Sequence, residues 1–315
     1  MHRVRSWVRG RLGNAYERLL EREISGTPTH VAIIQDGNRR YAREQGAGAN
    51  QGHEAGAETT EQVLDWCEEL GIEELTLYAF STENFNRDPE EREHLFDLIE
   101  AKLREFADAD RVHENGVRIR AIGEIGRLPD RVREAVAYAD SRTRGYDEFR
   151  LNVALAYGGR NELLRAARDV SAAVAAGDLA PGDIDVETVE ERLYGQPVRD
   201  VDLIVRTGGD ERTSNFLPWY ANGNEAAVFF CAPYWPEFSK VDFLRAIRTF
   251  ESREASWRRT KTERAVALVR AVAEVEIEEA RDVAARLRET LPSGQDAEVV
   301  EAVGTDPDRS SEPAD

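Results

Sequence analysis

Three short polar strings follow apolar runs in this 315-residue chain, and each carries groups suited to holding phosphate. The first is Asp36-Gly37-Asn38-Arg39-Arg40-Tyr41, after HVAIIQ. A carboxylate just past a buried strand can hold a metal, a glycine lets backbone approach an anion, and paired arginines supply bidentate charge. The second, Ser81-Thr82-Glu83-Asn84-Phe85-Asn86-Arg87 with Glu90-Glu91 behind it, follows LTLYAF. Capping accounts for Ser81 or Asn86, but not for their combination with Asn84 and Arg87. In the third, Arg206-Thr207-Gly208-Gly209-Asp210-Glu211-Arg212-Thr213-Ser214-Asn215, two arginines and a serine surround a Gly-Gly turn, the makings of a diphosphate clamp. Each has a plainer reading: a polar turn capped by Asp, or surface ion pairs worth little.

The segments between these strings must position them. Short β-branched apolar runs predict buried strands at His30–Gln35, Leu75–Phe80, Val117–Ile122, Leu151–Ala156, Asp202–Arg206 and Ala226–Phe230. Amphipathic spacing predicts helices near 3–24, 53–69, 89–108, 129–142, 160–176, 186–194 and from Lys240 to about 290. Such alternation implies an α/β fold, a mostly parallel sheet covered by helices on both faces, with ligands beyond the carboxyl ends of its strands. Phosphatases of the haloacid-dehalogenase type share an Asp after the first strand but need a second two residues on. Asn38 stands there.

Composition narrows the class. A hydrophobic share of 41% supports a real core, and 61 acids against 42 bases, net −19, argue against a nucleic-acid binder. Only Lys102, Lys240 and Lys261 are lysines. That acidic, lysine-poor surface resembles proteins of salt-loving cells, although codon bias alone would explain the arginines. Cys67 and Cys231 have no metal spacing and read as buried residues in a reducing cytosol. No apolar run spans a membrane and no signal peptide is evident, so a cytoplasmic protein is expected. The domain reading is an amphipathic helix within 1–27, a catalytic domain over 28–252, a helical extension over 253–290 and a disordered acidic tail over 291–315.

In order along the chain, HVAIIQDGNRRYA, GHEAGAE, LTLYAFSTENFNR, LNVALAYGGR and DLIVRTGGDERTSNFLPW closely resemble the cis-prenyltransferases, typified by undecaprenyl diphosphate synthase. The likeness covers about residues 28 to 252, and DGNRRYA looks like the archaeal and eukaryotic (dehydrodolichyl) form. It implies elongation of an allylic diphosphate, geranylgeranyl or farnesyl, by successive Mg²⁺-dependent additions of isopentenyl diphosphate with cis double bonds. The product would be a long polyprenyl diphosphate, precursor of a lipid glycosyl carrier. The resemblance gives Asp36 a Mg²⁺ and catalytic role, and Gly37, Asn38, Arg39 and Arg40 the allylic diphosphate. Arg206, Arg212 and Ser214 match the isopentenyl diphosphate clamp, Glu225 a second metal carboxylate, and Asn84, beside Ser81, the residue assigned to proton removal. Tyr41, His53, Thr82, Glu83, Phe85, Arg87 and Thr213 are carried as substrate-binding neighbours. An amide is a poor base, so Asn84 is read as positioning the isopentenyl methylene, with Asp36 or a diphosphate oxygen as the proton's acceptor. No DDxxD helix motif is present, against the trans-type synthases.

Departures matter too. Ala49 stands where the family commonly has Arg, Phe85 where bacterial members have Trp, and Asp210 where they have Glu. The stretch before Glu225 is unusual, which weakens that match most. His53 follows Gly52 at the expected helix start, beside the expected phosphate; the plainer reading is an ordinary helix residue. Leu95, Ile99, Leu103, Phe106, Leu151, Val153 and Leu155 form the expected tunnel wall, and are equally ordinary core. A homodimer is the default, and a non-catalytic subunit of a heteromer is the alternative. The N-terminal helix, with Val4, Trp7, Val8 and Leu12 on one stripe and arginines on its first turns, either anchors peripherally to a membrane surface or packs on the body.

Overall fold

The computed structural model describes residues 17, 18, 20–194, 199–221 and 226–257. Two compact units divide the chain, Met1–Glu251 and Ser252–Asp315, and the sheet and its strand-end residues belong to the first. Most of the expected N-terminal helix, the segment beyond Trp257 and the acidic tail lie outside the described residues.

Six runs form one sheet: β1 (His30–Ile34), β2 (Glu74–Ser81), β3 (Val117–Ile122), β4 (Phe149–Tyr157), β5 (Leu203–Arg206) and β6 (Ala227–Phe230). Their order is β3-β4-β2-β1-β5-β6, and every pairing is parallel. Parallel strands need long crossovers, here mostly helical, which cover both faces, and this is why the central strands β1 and β5 are nearly continuously apolar while edge strand β3 (VRIRAI) is not. One face carries Val31, Ile33, Leu75, Leu77, Ile119 and Leu151. The opposite face carries Ala32, Ile34, Ile122, Ala154, Tyr157 and Ile204.

The helices are α1, described over 17, 18 and 20–23, then α2 (Asn38–Glu44), α3 (Ala49–Glu69), α4 (Pro89–Asp108), α5 (Asp110–Glu114), α6 (Asp130–Thr143), α7 (Gly159–Ala176), α8 (Val186–Tyr194) and α9 (Lys240–Trp257). Helices α3, α4, α6 and α9 supply Val63, Phe96, Ala135 and Phe243 to the first core. Ala166 of α7 and Leu193 of α8 join the second.

Two features differ from the sequence expectation. The string after β1 is not a plain turn: it continues into α2, capped by Gly37 with φ 104°. That left-handed backbone suits glycine. Helix α3 begins at Ala49 rather than near residue 53, so His53 lies inside it and not at its start. Gly52, placed just before the expected helix start, lies within α3, where its missing side chain admits the Asn38 carbonyl, which would lie 2.1 Å from a Cβ.

The described end of the N-terminal segment packs on the body. Leu20 is fully buried, Lys240 Nζ lies 2.7 Å from Glu21, and Arg248 3.4 Å from Glu23.

Candidate active site

Strand register places the first group. Ile34 pairs with Arg206, so Asp36 emerges beside Arg206 at the carboxyl ends of β1 and β5. Backbone contacts then lock the turn. Asp36 N–H donates to Thr207 Oγ1 (3.0 Å), Thr207 Oγ1 donates back to the Asp36 carbonyl (2.7 Å), and Trp235 N–H donates to that same carbonyl (2.9 Å).

Arg206 is nearly buried and serves two carboxylates through one nitrogen. Its Nη2 reaches Asp36 Oδ2 at 2.7 Å and Asp210 Oδ2 at 3.1 Å, while Nη1 donates to Ser214 Oγ at 2.7 Å. Arg40 Nη2 lies 3.2 Å from Asp36 Oδ1, with its guanidinium 5.5 Å from the Tyr234 ring centre. Arg212, 70% exposed, touches Asp210 at 3.3 Å. Burial alone would raise the Asp36 pKa. The Arg206 hydrogen bond, the Arg40 and Arg206 charges and the Gly37 N–H outweigh it and hold the carboxyl below its usual range. Ser214 (φ 49°) and Asn215 (φ 56°) adopt left-handed backbone, and the Asn215 carbonyl accepts from Gly159 N–H at 3.2 Å. That strained turn points Ser214 at Arg206.

A second group gathers where α2, α3 and α4 meet. Glu91 Oε1 accepts from Arg87 Nη1 at 2.7 Å, lies 3.2 Å from His53 Nε2 and 3.7 Å from Arg39 Nε. Consecutive arginines on α2 therefore fork, Arg40 to the Asp36 group and Arg39 to Glu91. Burial is the main cause that lowers the His53 pKa; the Glu91 carboxylate opposes it and the Arg87 charge adds to it.

Between them, β2 runs into a short 3₁₀ turn, Thr82–Asn86. Asn84 Oδ1 accepts from Ser81 N–H at 2.8 Å in a reciprocal capping box, so the amide oxygen is engaged. Thr82 Oγ1 would lie 2.9 Å from a Cβ on Gly158. Phe85 packs edge-on against Phe80, under Arg127. Glu83 is exposed, and Tyr41 and Thr213 are half-buried. Asn38 Oδ1 is buried without a hydrogen-bond partner. Glu225 lies outside the described residues.

Sequence reasoning left Thr207, Tyr234, Trp235 and the anchoring part played by Glu91 unassigned. Local signals existed for two of them: a threonine directly after Arg206, and the spacing of four between Arg87 and Glu91. Tyr234 and Trp235 act through contacts distant in sequence.

Among the described residues, no group of three or more metal-binding side chains is present. An ionised, half-exposed carboxylate beside arginines still fits Mg²⁺, which keeps waters and takes one or two carboxylates together with substrate phosphates. At the amino ends of the strands, a cavity of about 260 Å³ is lined by Leu64, Ile72, Phe106, Val112, Phe149 and Leu151 among others. Phe106 and Leu151 belong to the expected tunnel wall; Leu95, Leu103 and Leu155 are core, with Ile99 and Val153 packed against it.

A parallel sheet whose strand ends gather arginines around Asp36 and Asp210 is the arrangement of an enzyme class that acts on phosphorylated substrates. The profile of the family described as "Putative undecaprenyl diphosphate synthase" matches residues 34–258. A tritrans,polycis-undecaprenyl-diphosphate synthase (geranylgeranyl-diphosphate specific) of Halobacterium salinarum is 71% identical over 277 residues, 88% of this chain and 91% of that one. The same-named enzyme of Haloarcula marismortui is 68% identical, over 90% of this chain and 93% of its own length. Among solved structures, lavandulyl diphosphate synthase of Lavandula x intermedia, in complex with dimethylallyl diphosphate, aligns with TM-score 0.66 at 33% identity, covering 71% of this chain and 95% of that one. The chain belongs to the undecaprenyl diphosphate synthase family of cis-prenyltransferases and is a transferase of prenyl groups.

Proposed function

We propose that the chain extends geranylgeranyl diphosphate with successive isopentenyl diphosphates to a long cis-polyprenyl diphosphate. The observation that carries this is the intact group at the β1–β5 seam, where Asp36, Arg40, Arg206 and Ser214 converge. The primer follows the names of the two haloarchaeal relatives, both geranylgeranyl-diphosphate specific. Their source also accords with the acidic, lysine-poor composition, and we extend salt adaptation to this protein.

In each cycle the allylic C–O bond breaks, the isopentenyl methylene bonds to the resulting carbocation, and one proton is lost. Asp36, with Glu225 as the proposed second carboxylate, would hold Mg²⁺, which stabilises the departing diphosphate. Arg40 faces the allylic diphosphate beside Asp36; Arg206, Arg212 and Ser214 hold that of isopentenyl diphosphate. Asn84 positions. Its oxygen is engaged by Ser81, so it offers an N–H donor rather than a base. The proton therefore leaves to Asp36 or to a diphosphate oxygen. The cavity at the far strand ends, apolar inside and rimmed by Asp65, Glu68, Glu73, Arg111 and Glu148, suits the end of a growing chain.

Incubation with labelled isopentenyl diphosphate, Mg²⁺ and each allylic primer tests this reading. Long labelled products from geranylgeranyl diphosphate are expected, and chromatography gives their length. No product with any primer would overturn it.

A further inference from the structure

The Glu91 corner presents an anion already in place. One carboxylate oxygen meets groups from three different segments: Arg39 on α2, His53 on α3 and Arg87 before α4. The Glu91 side chain is only 11% exposed. Other arginines near this turn are committed elsewhere: Arg92 Nη1 donates to the Phe85 carbonyl at 3.1 Å, and Arg127 lies 4.5 Å from the centre of the Phe85 ring. An incoming diphosphate that uses this corner must therefore share Arg39, His53 and Arg87 with Glu91. The holds are unequal. Arg87 is tight at 2.7 Å, whereas Arg39 is 3.7 Å away and 53% exposed, and so free to turn toward a ligand.

We infer that Glu91 is a positioning residue and internal counter-anion: it keeps the three basic groups gathered before substrate arrives, and its charge limits how tightly they then hold diphosphate. The inference rests on the proposed function and on extending to His53 and Arg87, expected from the sequence to bind substrate, the allylic diphosphate expected at Arg39. A fixed negative charge a few ångströms from a bound anion weakens binding, because the low-dielectric surroundings screen it poorly. Moderate retention helps an enzyme that releases pyrophosphate at every addition. Glu91 thereby favours turnover over affinity.

Titration calorimetry of the full-length protein with inorganic pyrophosphate, without added metal, tests the idea. Glu91→Gln keeps the shape and an acceptor for Arg87 while removing the charge, so it is expected to bind pyrophosphate roughly 10-fold more tightly. Glu91→Asp, which keeps the charge, should stay near the parent. Glu90→Gln, on an exposed neighbour, should change affinity less than about two-fold. In turnover, Glu91→Gln should lower both KM for the allylic diphosphate and kcat. A merely structural residue would raise KM and depress the melting temperature instead. Equal or weaker pyrophosphate binding by Glu91→Gln overturns the inference while leaving the function intact. A parent that binds no pyrophosphate overturns the diphosphate reading and this inference together. Glu91→Ala makes the same comparison in case the amide perturbs folding.

Discussion

Two corners of one strand-end surface use charge in opposite ways. At the β1–β5 seam a buried arginine serves two carboxylates, and the cations around it, Arg40 and Arg212, stay partly or largely exposed. At the α2–α3–α4 corner one buried carboxylate serves two arginines and a histidine. The first arrangement leaves positive charge facing outward, ready for phosphate; the second is satisfied internally until something displaces Arg39. On the proposed reading, the difference separates a site that does chemistry from one that regulates grip.

Breaking the first corner should have the largest effect. Asp36→Ala removes the proposed metal carboxylate while leaving the backbone contacts of the turn, which run through Thr207 and Trp235. Leaving-group stabilisation is worth several kcal/mol, so elongation should fall at least ~10³-fold. The melting transition should stay cooperative, although Arg206 loses a partner. Activity within tenfold of the parent, with unchanged metal dependence, would remove Asp36 from the mechanism.

Arg212→Ala is next. At 70% exposure its pair with Asp210 adds little stability, so the variant reads substrate contact almost alone. Loss of a charge-assisted contact worth ~1.5–3 kcal/mol should raise KM for isopentenyl diphosphate about 10- to 150-fold, and that of the primer far less. Equal rises for both substrates would show that the residues holding the two diphosphates are wrongly divided.

Where the sequence was legible follows from locality. Buried parallel strands announce themselves as short β-branched runs, and the polar residues at their carboxyl ends follow directly in sequence, so the meeting of Asp36 and Arg206 at one strand-end surface could be expected without a structure. Helix α2 could not, because its seven residues, NRRYARE, carry no apolar stripe and its start depends on Gly37 in a left-handed conformation. The start of α3 was hidden by Gly52, whose tolerance depends on the Asn38 carbonyl packed against it. The Glu91 corner joins residues 38 and 52 positions apart from Glu91, and no periodicity encodes that meeting.

Gly52→Ala sharpens the same point. A Cβ there would sit 2.1 Å from the Asn38 carbonyl oxygen, which is backbone and cannot turn aside. The substitution should destabilise by about 1–3 kcal/mol, as overpacking does, and should weaken primer binding because Asn38 and Arg39 move with α2. Denaturant titration reads the first effect, and KM for the primer against that for isopentenyl diphosphate reads the second. A stable variant with both constants unchanged would mean that α2 and α3 need no such close approach.

The smallest expected effect distinguishes the corners by pH. Burial, with the Arg87 charge, lowers the His53 pKa despite the opposing Glu91 carboxylate. The unfolded chain therefore binds a proton more readily than the native state below about pH 6.5, the ordinary histidine value. Stability should be level above that value and fall as pH drops below it. One such group contributes a slope of at most ~1.4 kcal/mol per pH unit. His30, buried between Thr76 and the Arg199 carbonyl, is shifted the same way, chiefly by burial, and adds its own share. The Asp36 carboxyl, held below its usual range, contributes stability that is lost only in more acid conditions. Denaturation of the parent and of His53→Gln between about pH 7 and pH 5 isolates the term, since His30 remains in both. The variant should show a shallower decline. Identical slopes would mean that His53 titrates as it does in the unfolded chain, and the Glu91 corner would then be more open to water than the packing around it indicates.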